Sequence, residues 1–575
     1  MWCFDVVHRT KGSVKIMKRR IRDLWTPPHL TSCGLVALVT LGLLVAWAAP
    51  AATAQAAGSR PIPRLEHSGA AYHLMVEGRP FLILGGQSLN ESAAKPEDLE
   101  RVWKALVAVH ANTAIVPIWW KLIEPQPGQF DFQQLDQIIN GARRNGLRLV
   151  LLWFATWKNG DMEYTPDWIK NDRATYKRAV GLSGEELYTL TPFCEATRQA
   201  DIRAFAAVMR HIREIDEAQR TVLMMQVENE PGLMGADRDH SEEANRLFDA
   251  KVPAELMSYL VKHRKALSPS MRQQWSRARF RSSGTWSEVF GRMAPEAFSA
   301  WHIARYIDTV AAAGKQVYPL PMYANAWLVE PHCERPGRYP SGGPTDHVID
   351  IWKAAAPHLD LIAPDIYYPK YYDSAAPYAR PDNPLFVPEV NFQPFFGAVA
   401  FMTFATFDGL AFSPYGLEDG FGTQAWAARC AEFEDTYRVL RPLIPLIARH
   451  QYQGKLHAVI QGVSPGEGWA HDIHLGGEKV AALVEFTVPF NPVAGRGRGM
   501  IIELAPDDYV IVGAGFRVSF RELEGPLRDT QLLSLEEGTF EGERWIPQRR
   551  LNGDQLHVSL PAKATILRVK LLRPR

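Results

Sequence analysis

Residues 221–232 read TVLMMQVENEPG. An unbroken apolar run opens into Glu228, Asn229 and Glu230 and then a Pro-Gly turn. Continuous apolarity over so short a length marks a strand covered on both faces, as parallel strands are when helices flank them. Seven more runs have this texture: PFLILGG (80–86), TAIVPIWW (113–120), RLVLLWFATW (148–157), QVYPLPMYAN (316–325), LDLIAPDIYY (359–368), PLFVPEVNF (384–392) and DGLAFSPYG (408–416). Amphipathic stretches such as FQQLDQIINGARRNG (132–146) and ADIRAFAAVMRHIREID (200–216) lie between them. Eight buried strands with helical crossovers predict an α/β fold, a (β/α)8 TIM barrel, over residues 57–449. The longest insertion, about residues 233–300, separates the fourth and fifth strands. It is rich in charge and helix formers, and is expected to form a helical flap over one side of the pocket.

From residue 450 to 575 the texture changes. VAALVEFTV (480–488), DDYVIVGAGFRVSF (507–520) and QLHVSLPAKATILRVKLL (555–572) are short β-type runs broken by Gly, Pro and Asp. They predict a C-terminal antiparallel β-sandwich-like domain. It shows no catalytic cluster, which leaves covering the barrel's flank, contacting a second copy in a homo-oligomer, or holding substrate outside the site.

At 575 residues the chain is too long for one ordinary core, and 46% hydrophobic with 22% charged residues is a globular balance. A net charge of +1 offers no basic excess for a nucleic-acid partner. Residues 1–56 have the pattern of a signal peptide. Lys18-Arg19-Arg20 precedes CGLVALVTLGLLVAWAA, and small residues at Ala54 and Ala56 suit cleavage after Ala56. Export to the periplasm or medium is expected, with an uncleaved membrane anchor as the alternative. Outside that leader stand three widely spaced cysteines, Cys194, Cys333 and Cys430, which make neither a disulfide framework nor a zinc site. A Cys194–Cys333 bridge is open in an oxidising compartment.

The chemistry collects at strand ends. VENEPG closes the fourth run and PEVNF the seventh, so Glu230 and Glu389, 389 − 230 = 159 residues apart, are both expected at the C-terminal mouth of the barrel. Glycoside hydrolysis needs two facing carboxyls: one protonates the leaving oxygen, and the other attacks the anomeric carbon or activates water. Spacing does not choose between Glu228 and Glu230, since strand alternation puts both on one face.

QVENEPG with PEVNF resembles the retaining glycosidases of clan A, most closely the β-galactosidases of glycoside hydrolase family 35. GGQSLNESA (85–93), EPQPGQFDF (124–132), LLWFATWKNGDMEYTPDWI (151–169) and LPMYANAWL (320–328) extend the likeness in order along the barrel. The tail resembles an accessory domain on a bacterial branch of that family. The resemblance implies Glu230 as acid/base, Glu389 as nucleophile, and Asn229 as a donor to the sugar 2-OH. It leaves Glu228 a structural hydrogen bond deeper in the barrel.

Further candidates surround the pair. Trp157 and Trp327 are candidate stacking walls, and Asn90 and Glu91 candidate partners for ring hydroxyls. Tyr323, Asn325 and Tyr367 are candidates to steer Glu389 by hydrogen bonding. Trp119, Trp120 and Trp153 sit further back as packing, and Glu124 has the position of a loop anchor. The chain departs from familiar relatives in two places: Pro231 follows the acid/base where many carry an aromatic residue, and FATWKNG stands where eukaryotic relatives place an acidic residue near the sugar. No P-loop, strand-opening dinucleotide fingerprint or HExxH is present, and no GxSxG stands in the strand-to-helix setting of a nucleophile elbow. The expectation is an exo-acting retaining β-galactosidase, without metal or cofactor, acting on a β-galactoside or a plant-derived oligosaccharide. Two alternatives stay open: another β-glycosidase (β-glucosidase, β-xylosidase or α-L-arabinopyranosidase), or a carbohydrate-binding protein that does not cleave.

Overall fold

The computed structural model describes residues 60–69, 71–331, 333–462, 470–489, 496–523 and 530–572; the expected leader lies outside these. Eight parallel strands close into a barrel: β1 (Ile83–Gln87), β2 (Thr113–Trp119), β3 (Arg148–Lys158), β4 (Val222–Asn229), β5 (Met322–Trp327), β6 (Leu361–Ile366), β7 (Phe386–Val390) and β8 (Ala411–Pro414). They neighbour one another in chain order and β8 pairs back to β1, so all eight apolar runs found in the sequence are barrel staves. The helices that follow them are α1 (Pro96–Ala108), α2 (Gln133–Arg144), α3 (Glu195–Asp216), α4 (Ala294–Val317), α5 (Ile349–Ala355), α6 (Tyr371–Ala375), α7 (Pro394–Ala405) and α8 (Gln424–Leu440).

Strand alternation sorts the core into two shells. Inward-pointing Ile83, Ile115, Val150, Leu152, Phe154, Leu223, Tyr323, Leu361, Ala363, Phe386 and Ala411 fill the barrel, and Leu74 and Val76 of an N-terminal hairpin close its lower end. The residues between them, such as Leu149, Leu151, Trp153, Ala155 and Trp157 on β3, point outward against the helices. A filled lower barrel leaves only the C-terminal ends of the strands for a ligand.

The β4–α4 insertion folds into helices Glu242–Phe248, Ala254–Lys262, Pro269–Arg277 and Trp286–Phe290. It does not form the expected flap. Phe248 and Trp286 pack edge-on against Phe298 of α4, and the Ser268 amide is capped by Asp350 of α5, so the helices lie along the barrel's outer flank. Its apolar side chains have an apolar helix face to cover, and that face is outside.

After helix Ile444–His450 come, among the described residues, ten antiparallel strands: β9 (Leu456–Ile460), β10 (Ala470–Leu475), β11 (Val480–Phe486), β12 (Arg498–Ala505), β13 (Asp508–Ala514), β14 (Phe516–Glu522), β15 (Gln531–Glu541), β16 (Arg544–Leu551), β17 (Val558–Leu560) and β18 (Thr565–Leu572). They form a six-stranded sheet ordered β9-β12-β13-β18-β15-β16 and a four-stranded sheet ordered β10-β11-β14-β17. One face of the larger sheet meets the smaller through Ile501, Ile511, Phe516 and Val569. Its other face, with Met500, Ile502, Val510 and Val512, joins the same core cluster as the barrel helices. Burial on both faces explains the unbroken VIV of β13. It also explains α7, whose sequence PFFGAVAFMTFA is apolar all round because the helix lies between barrel and sheet. Cys194, Cys333 and Cys430 are free thiols, so the bridge left open by the sequence is not formed.

Candidate active site

β4 ends in an unusual turn. Glu228 (φ 64°) and Glu230 (φ 43°) both take the left-handed region that side chains with a Cβ avoid, on either side of Asn229. The first reversal turns Glu228 out of the barrel. Its Oε2 accepts from the Trp157 amide at 2.7 Å, and its carboxyl meets Asp201 of α3, a group held by Trp153 Nε1 (2.9 Å), Thr156 Oγ1 (2.8 Å) and Tyr306 OH (3.1 Å). Burial lifts both carboxyls above their usual range, and the neighbouring Asp201 raises Glu228 further, so this dyad retains a proton. Glu228 and Glu230 therefore do not share a face as strand alternation implied; the dyad anchors the turn from behind.

The second reversal delivers Glu230 to the mouth. Its amide donates to Asn325 Oδ1 at 2.8 Å. Asn325 Nδ2 in turn donates to Asp365 Oδ2 (2.6 Å) and Asn229 Oδ1 (3.3 Å). Pro340 lies directly over Gly232, where a Cβ would stand 2.5 Å from the Pro340 carbonyl carbon, so the turn closes only with glycine.

Glu389, on β7, receives Gln87 Nε2 at 2.7 Å on one oxygen and Tyr367 OH at 2.6 Å on the other. Carboxyl oxygens of Glu230, Asp365 and Glu389 all lie within 4.8 Å of one another. Each of the three residues is no more than 6% exposed. By spacing alone this trio is also the set of carboxylates, among the described residues, that could hold a metal ion. Glu230 is raised to about 7: burial lifts it most, Lys158 pulls it back, Glu389 pushes it up, the Asp365 hydrogen bond lowers it and Glu330 raises it slightly. Asn229 is fully buried; its Oδ1 is occupied by Gln226 (3.0 Å) and Asn325, and its Nδ2 donates to Asn159 Oδ1 at 3.4 Å with a second hydrogen to spare.

Of the candidates read from sequence, Glu230, Glu389, Asn229, Asn325 and Tyr367 converge here. Three assignments need correcting. Trp157 is not a stacking wall: it is fully buried, edge-on to Tyr306 at 4.8 Å, because on β3 it shares the outward parity of Trp153. Tyr323 points inward but lies deeper, its ring 4.8 Å from Phe386 and its hydroxyl without a partner, so Tyr367 rather than Tyr323 steers Glu389. Asn325 holds Glu230 and Asp365, not Glu389. Trp327 stays half-buried at the β5 end, in register with Asp365. Asn90 begins the turn after β1 with its Oδ1 unpartnered, and Glu91 is exposed and accepts from Tyr164 OH at 2.6 Å. Glu124 does anchor its loop, accepting from Trp120 Nε1 and the Gly128 amide.

Four site residues were not singled out in the sequence: Gln87, Lys158, Asp365 and Tyr415, whose ring stands edge-on to Tyr367 at 6.3 Å. Inward parity would have found Asp365, since Leu361 and Ala363 point into the barrel and the same alternation carries Asp365 and Tyr367 inward. It also identifies Gln87, two steps on from Ile83 and Gly85.

Two buried carboxyls facing each other at the mouth of a filled (β/α)8 barrel, as Glu230 and Glu389 do, are the arrangement of a glycoside hydrolase site. Comparison with known proteins agrees in kind. Residues 91–302 match the β-galactosidase model of glycoside hydrolase family 42, and residues 433–562 match a domain of unknown function, DUF5597. The likeness is thus to a clan A-type β-galactosidase domain and not specifically to family 35. A β-galactosidase from Xanthomonas manihotis is 25% identical over 218 residues, 37% of this chain and 33% of that protein. The chain's match therefore spans a third of the length of that curated relative. Among solved structures, a catalytic mutant of Gan42B, a family 42 β-galactosidase from G. stearothermophilus, is 12% identical with a TM-score of 0.43, covering 85% of this chain and 98% of that one. The β-galactosidase from Bacillus circulans sp. alkalophilus is 15% identical with a TM-score of 0.43, covering 64% and 57%.

Proposed function

We propose that this protein is a retaining, exo-acting glycoside hydrolase that removes terminal β-D-galactosyl residues by double displacement. The observation that carries this reading is the separation of Glu230 and Glu389, within 4.8 Å on strands β4 and β7. Retaining enzymes hold their two carboxyls about 5–5.5 Å apart, while inverting enzymes need about 6.5–9.5 Å to admit a water. Glu389, aimed by Gln87 and Tyr367, attacks the anomeric carbon. Glu230, raised to about 7, carries the proton for the departing oxygen at neutral pH. Once the glycosyl-enzyme ester forms, the negative charge of Glu389 is gone, and Glu230 can give up its proton and serve as base for water. Asn229 Nδ2 donates one hydrogen to Asn159 Oδ1 at 3.4 Å and has its second hydrogen for the sugar 2-OH, a bond that strengthens in the transition state.

The family 42 match and the Xanthomonas relative support galactose as the sugar; the family 35 motifs quoted from the sequence support the same choice. The organisation that fits is a leader over residues 1–56, a catalytic barrel over 57–449 and an accessory β-domain over 450–575, exported to act on β-galactosides or plant-derived oligosaccharides. FATWKNG (154–160), standing where eukaryotic relatives place an acidic residue near the sugar, supports a second sugar specificity as the alternative reading.

The test is a panel of 4-nitrophenyl β-glycosides. The expected result is fastest release from the β-D-galactoside, and a loss of roughly a thousandfold or more in Glu389→Gln. A faster β-glucoside, β-xyloside or α-L-arabinopyranoside would move the specificity. Binding of sugar without turnover by either form would make this a carbohydrate-binding protein.

A further inference from the structure

Glycoside hydrolysis by double displacement uses two carboxyls, and this mouth buries three. Asp365 is 3% exposed and stands in register beside Glu389 on the neighbouring strand. Its Oδ2 is fixed by Asn325 Nδ2, the same side chain whose Oδ1 takes the Glu230 amide. One amide group therefore locks Asp365 and Glu230 into a single frame. Asp365 Oδ1 receives no donor from the protein, and the Asp365 and Glu230 carboxyls are in hydrogen-bonding contact with each other. Two carboxyl groups can hydrogen-bond only if one of them carries a proton.

We propose that Asp365 is a positioning residue that holds one proton in common with Glu230, and so sets the pH up to which Glu230 remains an acid. The proposal rests on the glycosidase reading above. Its electrostatics follow from what faces the pair. Glu389 on β7 and Glu330 beyond β5 raise Glu230 and Lys158 on β3 lowers it, while the hydrogen bond between the two carboxyls lowers Glu230 and raises Asp365, splitting the pair around one proton; Tyr323, Tyr367, Tyr378 and Tyr415 present hydroxyls. With Glu389 ionised, removing the last proton from the pair would leave three carboxylates within 4.8 Å of one another. Burial, then Glu389 and Glu230, lift Asp365 well above the usual carboxylate range. That shared proton belongs to the pair, and its loss is a property of the pair whichever oxygen carries it. During glycosylation the proton passes from Glu230 to the leaving oxygen. The repulsion among three carboxylates is then relieved because Glu389 has become an ester. The proton taken from water in the second step returns to the same pair.

The experiment compares wild type with the isosteric Asp365→Asn. In the variant, losing the Glu230 proton leaves two adjacent charges rather than three, so the alkaline limb of kcat/KM is expected to fall by about one pH unit or more. At pH 7.5 the variant should lose roughly tenfold or more on methyl β-D-galactoside, whose departure needs an acid, and far less on the 2,4-dinitrophenyl galactoside, which leaves unaided. An alkaline limb within 0.3 units of wild type, or equal losses on both substrates, would make Asp365 merely structural and overturn the proposal. Should Asp365→Asn fail to fold, judged by its melting transition, Asp365→Ser carries the same comparison. Inactivity of wild type on every glycoside would instead sink the glycosidase reading itself. An active wild type with an unmoved limb would sink only the role of Asp365.

Discussion

At the scale of single residues, the site trades stability for chemistry. Glu230 sits in a buried frame that disfavours its charge, and its value near 7 stands well above the ordinary 4.5. A carboxyl raised on folding stabilises the fold fully below its unfolded value, and that contribution is lost as pH climbs from about 4.5 through about 7. Glu230→Gln, which has no charge to bury, should therefore gain on wild type across that window. The difference in Tm, variant minus wild type, is expected to grow by about 2 °C or more between pH 4.5 and pH 8. A difference that shrinks with rising pH would mean that Glu230 is stabilised as a carboxylate and cannot start the reaction as an acid. Glu228 gives the opposite lesson. It is raised too, but its partners are Asp201, the Trp157 amide and the inside of a helix layer, so its proton serves the turn and not the substrate.

At the scale of elements, the staves were legible because burial on both faces leaves an unbroken apolar run, and all eight runs became strands. The facing pair Glu230 and Glu389 was legible because two of those runs end in Glu with an Asn one or two positions away. What was not legible follows from departures from simple alternation. The left-handed residues at 228 and 230 reverse the side-chain direction twice within three positions, which no propensity scale anticipates at glutamates. A register shift between Val387 and Val390 on β7 likewise re-aims Glu389 toward the mouth. Where alternation does hold, it was underused: counting from Trp153 places Trp157 outside, and counting from Leu361 places Asp365 inside. The insertion was readable as helical but not in its placement, because the surface it covers is shared between α4, which follows it directly, and α5, which lies beyond the next strand.

At the scale of the whole molecule, barrel and tail are tied by more than apolar contact. Asp435 of α8 receives Arg498 of β12 at 2.6 Å, Arg438 at 2.6 Å and the Ala564 amide at 2.8 Å, with Arg498 and Asp435 less than a tenth exposed. Removing one partner of such a pair strands a buried charge, so Asp435→Ala should cost about 3–5 kcal/mol and lower the Tm measurably. An unchanged Tm would mean that the shared apolar core alone holds the two parts. The barrel itself does the decisive long-range work, closing a ring that sets Glu389 opposite a residue 159 positions earlier. The most direct test of that arrangement is to trap the enzyme with 2-deoxy-2-fluoro-β-D-galactosyl fluoride and map the labelled peptide. The account predicts a single covalent adduct on Glu389 within the peptide carrying PEVNF; an adduct on Asp365, Glu230 or any other residue would contradict it.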